Sequence, residues 1–133
     1  MSHFQVINRA LDEGHDYIAL FEDDAVPMGY LSIGWDRVKD LSFDFLWMGG
    51  QWMSGRPRPE GIITGLRHKI IRSHALCLSR KAMELIREFL MPDKKVTWAL
   101  DNHYYQLKNR LPLGMYACTP FLFKLPNQHH SQL

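Results

Sequence analysis

Three short apolar runs, each bounded by turn-forming or charged residues, limit what this chain can fold into. They lie at 17–21, 43–50 and 73–79. Apolar runs of about four to eight residues between turn signals are typical of strands that are buried on both faces. Segments with helical periodicity alternate with them, which predicts an α/β domain with a mixed, mainly parallel sheet flanked by helices.

The predicted helices have recognisable ends. Ser2 and Gln5 form a capping box, and Gly14 stands where a C-terminal cap belongs, so a helix is expected over residues 3–13. Ser79 can cap another helix. The buried face expected for that helix consists of Ala82, Leu85, Ile86 and Phe89.

The rest of the chain completes one domain. Residues 27–41 are expected to be helical in part, and a further helix is expected at 98–109 after a cap at Thr97. Residues 115–118 and 120–125 are interpreted as edge-type strands. The 133 residues suffice for one domain with a core, so we expect a single domain over 1–125 and a polar tail over 126–133.

Composition excludes several classes of protein. No apolar stretch approaches the roughly 20 residues that span a bilayer, and the N-terminus lacks a signal-peptide layout, which favours a cytoplasmic protein without a transmembrane segment. The net charge of +2 is too small to indicate nucleic-acid binding by itself. Cys77 and Cys118 are expected to be free, buried thiols rather than a disulfide.

Three consecutive acids, Glu22, Asp23 and Asp24, follow the first apolar run directly. Ionised carboxylates this close repel one another, so a cation, basic neighbours or solvent must compensate. In extended backbone, Glu22 and Asp24 point to the same side and Asp23 to the other. Such a pair, at the carboxyl end of a strand where α/β folds bind ligands, could share Mg²⁺ or Mn²⁺. The alternatives are a solvated acidic turn or an acid that caps a helix near Pro27.

The stretch "SHFQVINRALDEGHDYIALFEDDAVP" resembles a segment of glycosyltransferase family 25, the lipooligosaccharide and procollagen galactosyltransferase type. Ser2 and His3 match its Ser-His pair, and residues 22–24 match its acidic motif. "SHALCLSRKAMELI", "ALDNHYYQL" and "NQHHSQL" are similar to later segments of the family, in order. The resemblance implies a GT-A-like, Rossmann-type fold that uses a divalent ion and a nucleotide-diphosphate sugar, with a UDP-sugar as the expected donor.

The family has a further β-α segment before the Ser-His pair, so the resemblance implies an N-terminally shortened domain. That segment forms much of the nucleotide pocket. Three explanations are open: a pared-down enzyme, a fragment, or a pocket that a partner subunit or a homo-oligomer completes.

The resemblance also implies roles for individual residues. Glu22 and Asp24 would bind the metal ion, with Glu22 and Asp23 near the nucleotide sugar. Asp101 would be the catalytic base, although an acid at a helix start also supports the helix dipole. His129 and His130 would be further metal ligands, or else part of a polar tail.

Two arginines in a Gly/Pro-rich stretch, Arg56 and Arg58, could hold a phosphate or the acceptor, with a solvated loop as the equal alternative. The predicted activity is therefore hexose transfer to a hydroxyl acceptor on a glycan, a lipid-linked saccharide or a modified base. The resemblance implies inversion at the anomeric carbon. The alternatives are a partial or degenerate transferase domain that acts as a binding or assembly module, and a nucleic-acid-modifying transferase that uses the basic stretch 56–72.

Overall fold

A computed structural model describes residues 3–52, 63–65, 70, 72, 74–89, 113–118 and 121–126. Three helices and seven strands lie within these ranges. They are α1 (His3–Asp12), β1 (Tyr17–Phe21), β2 (Val26–Pro27), α2 (Leu31–Val38), β3 (Phe45–Gly49), β4 (Ile63–Gly65), β5 (Ala75–Ser79), α3 (Arg80–Phe89), β6 (Met115–Cys118) and β7 (Phe123–Lys124).

Five strands form one sheet in the order β1-β5-β3-β6-β4, and β2 pairs with β7 in a separate two-stranded sheet. The fold is thus mixed α/β, as predicted, but the expectation of a mainly parallel sheet is wrong. Among the described strands, only β3 and β6 are parallel neighbours, whereas β5 is antiparallel to both β1 and β3, and β4 is antiparallel to β6. A strand that is covered on both faces is apolar whether its neighbours run parallel or antiparallel to it, so the apolar run does not reveal its direction.

The ends of the helices follow the caps expected from the sequence. Gly14 adopts a positive φ of 80° after α1, and its amide and that of His15 donate to Leu11 and Ala10, which satisfies carbonyls at the helix end. At the start of α3, the Ala82 amide donates to Ser79 Oγ over 3.1 Å. Ser2, the first predicted cap, lies outside the described residues.

The core has two layers, one on each face of the sheet. On one face α1 and α3 pack together over β5 and β3, with Ile7, Phe45, Leu78 and Ile86 buried. On the other face, Val38 of α2 packs with Leu46, Met48 and Cys77. On α3, Met83 is buried instead of Phe89, which is 43% exposed, so the predicted buried face is only partly right.

The strands differ in burial in a way that the sequence did not predict. Every residue of β3 and β5 is buried, as expected. Strand β1 was expected to be buried on both faces, but Tyr17 and Phe21 are 54% and 50% exposed because β1 is an edge strand. Strand β6, expected at an edge, lies between β3 and β4 instead.

Both cysteines are free and buried, as predicted. Burial raises the pKa of Cys77 and of Cys118 to about 12, so both stay protonated thiols at neutral pH. Within the described residues, no helix combines the length and the apolar character that crossing a bilayer requires.

Candidate functional site

The carboxyl ends of β1, β3 and β6 lie at one end of the sheet, because these three strands run in the same direction. Glu22 follows β1 at this end, and Gly50 follows β3. Strand β5 runs the opposite way, so His74, which directly precedes it, lies at the same end. We call this the acidic end, defined by Glu22, Asp23, Asp24 and His74.

The three acids form a tight turn. The Glu22 amide donates to the His74 carbonyl over 3.0 Å, and the Ala25 amide donates back to the Glu22 carbonyl over 3.0 Å. Extended backbone therefore ends near Glu22 rather than at Asp24. The prediction that strand alternation places Glu22 and Asp24 on one side is wrong in its premise, because the chain turns between them.

Strand pairing holds this turn at both ends. Before the turn, β1 pairs with β5 along its whole length. After it, Val26 pairs with Lys124 and Pro27 with Phe123, and the Met28 amide donates to the Leu122 carbonyl over 2.8 Å. The acidic turn therefore leaves one sheet and enters another within a few residues.

His74 links these two anchors. It is fully buried, and its Nε2 lies 3.3 Å from the Phe123 carbonyl oxygen of β7, a distance at which a protonated Nε2 donates a hydrogen bond. Its Nδ1 is buried without a hydrogen-bond partner among the described residues. Gly49 packs against the ring: a Cβ there would lie 2.6 Å from His74 Cδ2, so a larger residue would displace the imidazole.

Burial at the acidic end of the sheet favours the neutral form of His74. Burial lowers the pKa of His74 and Arg72 lowers it further, while the hydrogen bond with Phe123 and the charge of Asp24 raise it, with a net lowering. A neutral imidazole does not offset the charge of the acids. Glu22, Asp23 and Asp24 are all exposed, and no salt bridge within the described part of the chain involves Asp23 or Asp24.

The acids supply the ligand type that Mg²⁺ and Mn²⁺ prefer, but only part of a coordination shell. The described residues contain no group of three or more His, Cys, Asp or Glu side chains that could hold a metal ion. Magnesium keeps several waters and is commonly bound by one or two carboxylates together with substrate phosphates. Glu22 and Asp24 are exposed carboxylates of the type that such a shared site uses.

An apolar cleft runs beside the acidic turn, between β1 and α2. It consists of two cavities, of about 560 and about 720 Å³, that share Ala19, Trp35 and Cys77 in their lining. Phe21 and Pro27, which flank the turn, line the larger cavity. Beside the cleft, Val38 of α2 packs with Leu46 and Met48 of β3, whereas Tyr17 and Phe21 of β1 stay exposed.

Five of the predicted site residues lie outside the described residues: Arg56, Arg58, Asp101, His129 and His130. Of the predicted set, the structure describes Glu22, Asp23 and Asp24, which lie together in one turn. Sequence reasoning gave His74 no role in holding the acids. The available signal was its position, directly before a core strand that pairs with the strand leading into the acids.

No family model matches the chain, and no curated protein matches it. The resemblance to glycosyltransferase family 25 therefore stays a prediction from the quoted motifs.

Proposed function

We propose that this chain is a metal-dependent glycosyltransferase domain of the GT-A type, similar to family 25. It would move a hexose from a nucleotide-diphosphate sugar, with a UDP-sugar as the expected donor, to a hydroxyl acceptor. The observation that carries the proposal is the acidic turn. It places three exposed carboxylates at the end of the sheet where three strands terminate, and strand pairing anchors it on both sides.

The proposed roles follow from the charges that develop in sugar transfer. The leaving diphosphate gains negative charge, which a divalent ion neutralises when bound. Glu22 and Asp24 would hold that ion, Asp23 and Glu22 would lie near the nucleotide sugar, and His129 and His130 are proposed as further ligands. Asp101 is proposed as the base that takes the proton of the acceptor hydroxyl. Arg56 and Arg58 are proposed contacts to the donor phosphates.

The alternative is a partial transferase domain that acts as a binding or assembly module. The exposed strand β1 and the open apolar cleft favour it, because both leave surface that a second polypeptide could cover. In this alternative a partner subunit or a second copy completes the nucleotide pocket, and the isolated chain has no turnover.

Calorimetry with UDP and Mn²⁺ tests the proposal. We expect Mn²⁺-dependent UDP binding that Asp24→Ala abolishes, because the metal ion would lose a carboxylate ligand. The matched control is Asp12→Ala, which removes an exposed acid at the end of α1, near the opposite end of the sheet. This variant should bind like the wild type. If the wild-type chain binds neither UDP nor Mn²⁺, or if Asp24→Ala binds unchanged, the metal site is wrong.

Turnover separates the enzyme from the module. An active enzyme transfers the hexose of a UDP-hexose to an acceptor hydroxyl, or to water, and releases UDP when Mn²⁺ is present. Asp101→Asn should lose this release while keeping UDP affinity. Donor binding without any release in the wild type would favour the binding module. Full release by Asp101→Asn would remove Asp101 as the base.

A further inference from the structure

No described strand pairs with the outer edge of β1. Two backbone hydrogen bonds establish which groups point there: the Glu22 amide donates to His74, and the Arg80 amide donates to Asp16 over 2.6 Å. In an antiparallel ladder, alternate residues face the partner strand. Asp16 and Glu22 face β5, and so do the even-numbered residues between them. The odd-numbered residues, Tyr17, Ala19 and Phe21, therefore direct their N–H and C=O groups away from β5.

The side chains of the same three residues line the apolar cleft. Tyr17 contacts Phe43 with ring centroids 5.4 Å apart, and Phe21 contacts Phe123 at 4.9 Å. Both aromatic side chains are still half-exposed, and Ala19 between them is exposed as well. An edge strand with outward backbone groups and exposed aromatic residues is a template for strand addition.

Charge marks both ends of this template. Asp16 directly precedes β1, and Glu22 directly follows it, with Asp23 and Asp24 beyond. All four are exposed. A strand that pairs with β1 therefore passes an apolar centre and meets negative charge at each end.

We propose that the outer edge of β1 binds an extended segment of a partner polypeptide that has apolar residues in its centre and Lys or Arg at both ends. Main-chain hydrogen bonds to Tyr17, Ala19 and Phe21 supply the pairing, and the cleft accepts side chains of the segment. A lipid or a small apolar molecule would fill the cleft but would leave the outward N–H groups without acceptors.

A second copy of the chain fits this edge less well. The antiparallel register that pairs all of β1 with its own copy is centred on Ala19. That register places Asp16 opposite Glu22 of the other copy at each end, and like charges directly opposite each other destabilise a strand pair. The edge is thus complementary to a basic segment rather than to itself.

This inference does not rest on the proposed transferase activity, because it involves no metal ion and no donor sugar. Peptide binding is measured without either. Its failure would leave the calorimetry with UDP and Mn²⁺ unaffected, and the reverse also holds.

The test uses fluorescence anisotropy with a labelled peptide of about nine residues, with alternating Val and Thr in the centre and two Arg at each end. We expect a Kd on the order of 10–100 µM that weakens as salt is added. The same peptide with Glu in place of Arg should bind at least about tenfold more weakly, because it would face the acids at both ends.

Two changes remove the main-chain pairing itself. Ala19→Pro deletes an outward N–H that β5 does not use, so we expect unchanged thermal stability and at least about tenfold weaker peptide binding. Ala19→Val keeps the N–H and is the matched control. The Arg-flanked peptide, N-methylated at the amides that would face β1, tests the same bonds if Ala19→Pro does not fold.

Four results would overturn the proposal. They are no binding of the Arg-flanked peptide at about 1 mM, equal binding of the Glu-flanked peptide, unchanged binding of the N-methylated peptide, and a wild-type dimer in light scattering that Ala19→Pro converts to monomer. The last result would assign the edge to a second copy.

Discussion

Both ends of the sheet carry carboxylates, but the surroundings of these carboxylates differ. At the end opposite the acidic turn, Asp44 accepts hydrogen bonds from Ser79 Oγ over 2.7 Å and from the Gly114 amide over 2.9 Å. Its backbone amide donates to Gly114, and its carbonyl accepts from the Ser79 amide. One half-buried carboxylate thus joins the starts of β3 and β6 to the end of β5.

The acids of the turn instead face solvent, although strand pairing fixes the backbone that carries them. A carboxylate that holds a fold together has its oxygens occupied by protein donors. A carboxylate available to a ligand is positioned by its backbone and leaves its oxygens accessible. Asp44 thus belongs to the groups that hold the strands together, whereas residues 22–24 are exposed carboxylates for which we propose a role in binding.

Asp44→Ala should have the largest effect on stability. It removes two hydrogen bonds to a charged acceptor and leaves the half-buried Gly114 amide unpaired, so we expect a loss of about 2–4 kcal/mol in the free energy of unfolding. Urea denaturation measures it. The control is Asp40→Ala, an exposed acid, with a change within about 0.5 kcal/mol. Equal midpoints for the two variants would contradict the stabilising role of Asp44.

Gly49→Ala should have the next largest effect. Its methyl group would lie 2.6 Å from His74 Cδ2, and moving the ring disturbs the hydrogen bond with Phe123. We expect a loss of about 1–3 kcal/mol in the free energy of unfolding, measured with urea. Gly29→Ala is the matched control, because a Cβ there meets no atom within 4 Å. A Gly49→Ala protein as stable as the control would show that the ring moves freely.

The stability should depend on pH through His74. Its pKa is lowered in the folded state, so the unfolded chain binds more protons as pH falls below the ordinary His pKa of about 6.5. The free energy of unfolding is therefore expected to fall between pH about 7.5 and about 5.5. Asp24 favours the charged ring, and Arg72 and burial oppose it.

His74→Gln supplies the comparison for this pH dependence. Glutamine can still donate to the Phe123 carbonyl but does not titrate. Urea denaturation at the two pH values should give a smaller fall for His74→Gln than for the wild type. An equal fall in both proteins would mean that other groups cause the pH dependence.

The smallest effect on stability is expected at the acidic turn. Asp23→Asn combined with Asp24→Asn should change the free energy of unfolding by less than about 0.5 kcal/mol, because both side chains are exposed. Relief of charge repulsion could even raise it slightly. Differential scanning calorimetry measures the change. A loss of unfolding free energy comparable to that of Asp44→Ala would remove the distinction between the two ends of the sheet.

The elements were predictable because their signals are local. The cap at Ser79, the positive-φ glycine at position 14 and the apolar runs of β3 and β5 each depend on a few neighbouring residues, and all are confirmed. The exposed edge position of β1 was not predictable in this way, since the run Tyr17–Phe21 has the same apolar composition as a central strand.

The site was predictable in its residue types but not in its support. The acids were recognised from their charge, whereas the turn at Glu22 and the contact of His74 with β7 depend on residues about 50 positions apart in the chain. Asp44 gave no signal either, because its partners Ser79 and Gly114 become neighbours only when the strands pair.

By itself, the sequence determined where α1, α3, β1, β3 and β5 form, that two thiols are buried, and that three carboxylates follow a strand, because these properties arise from short-range periodicity, capping and charge. Only the tertiary structure decided that β5 runs antiparallel between β1 and β3. Strand order and direction come from long-range backbone pairing, to which side-chain patterns are blind. That pairing left β1 at the edge, brought His74 beside the acidic turn, and separated the carboxylates that face solvent from the one that holds the strands together.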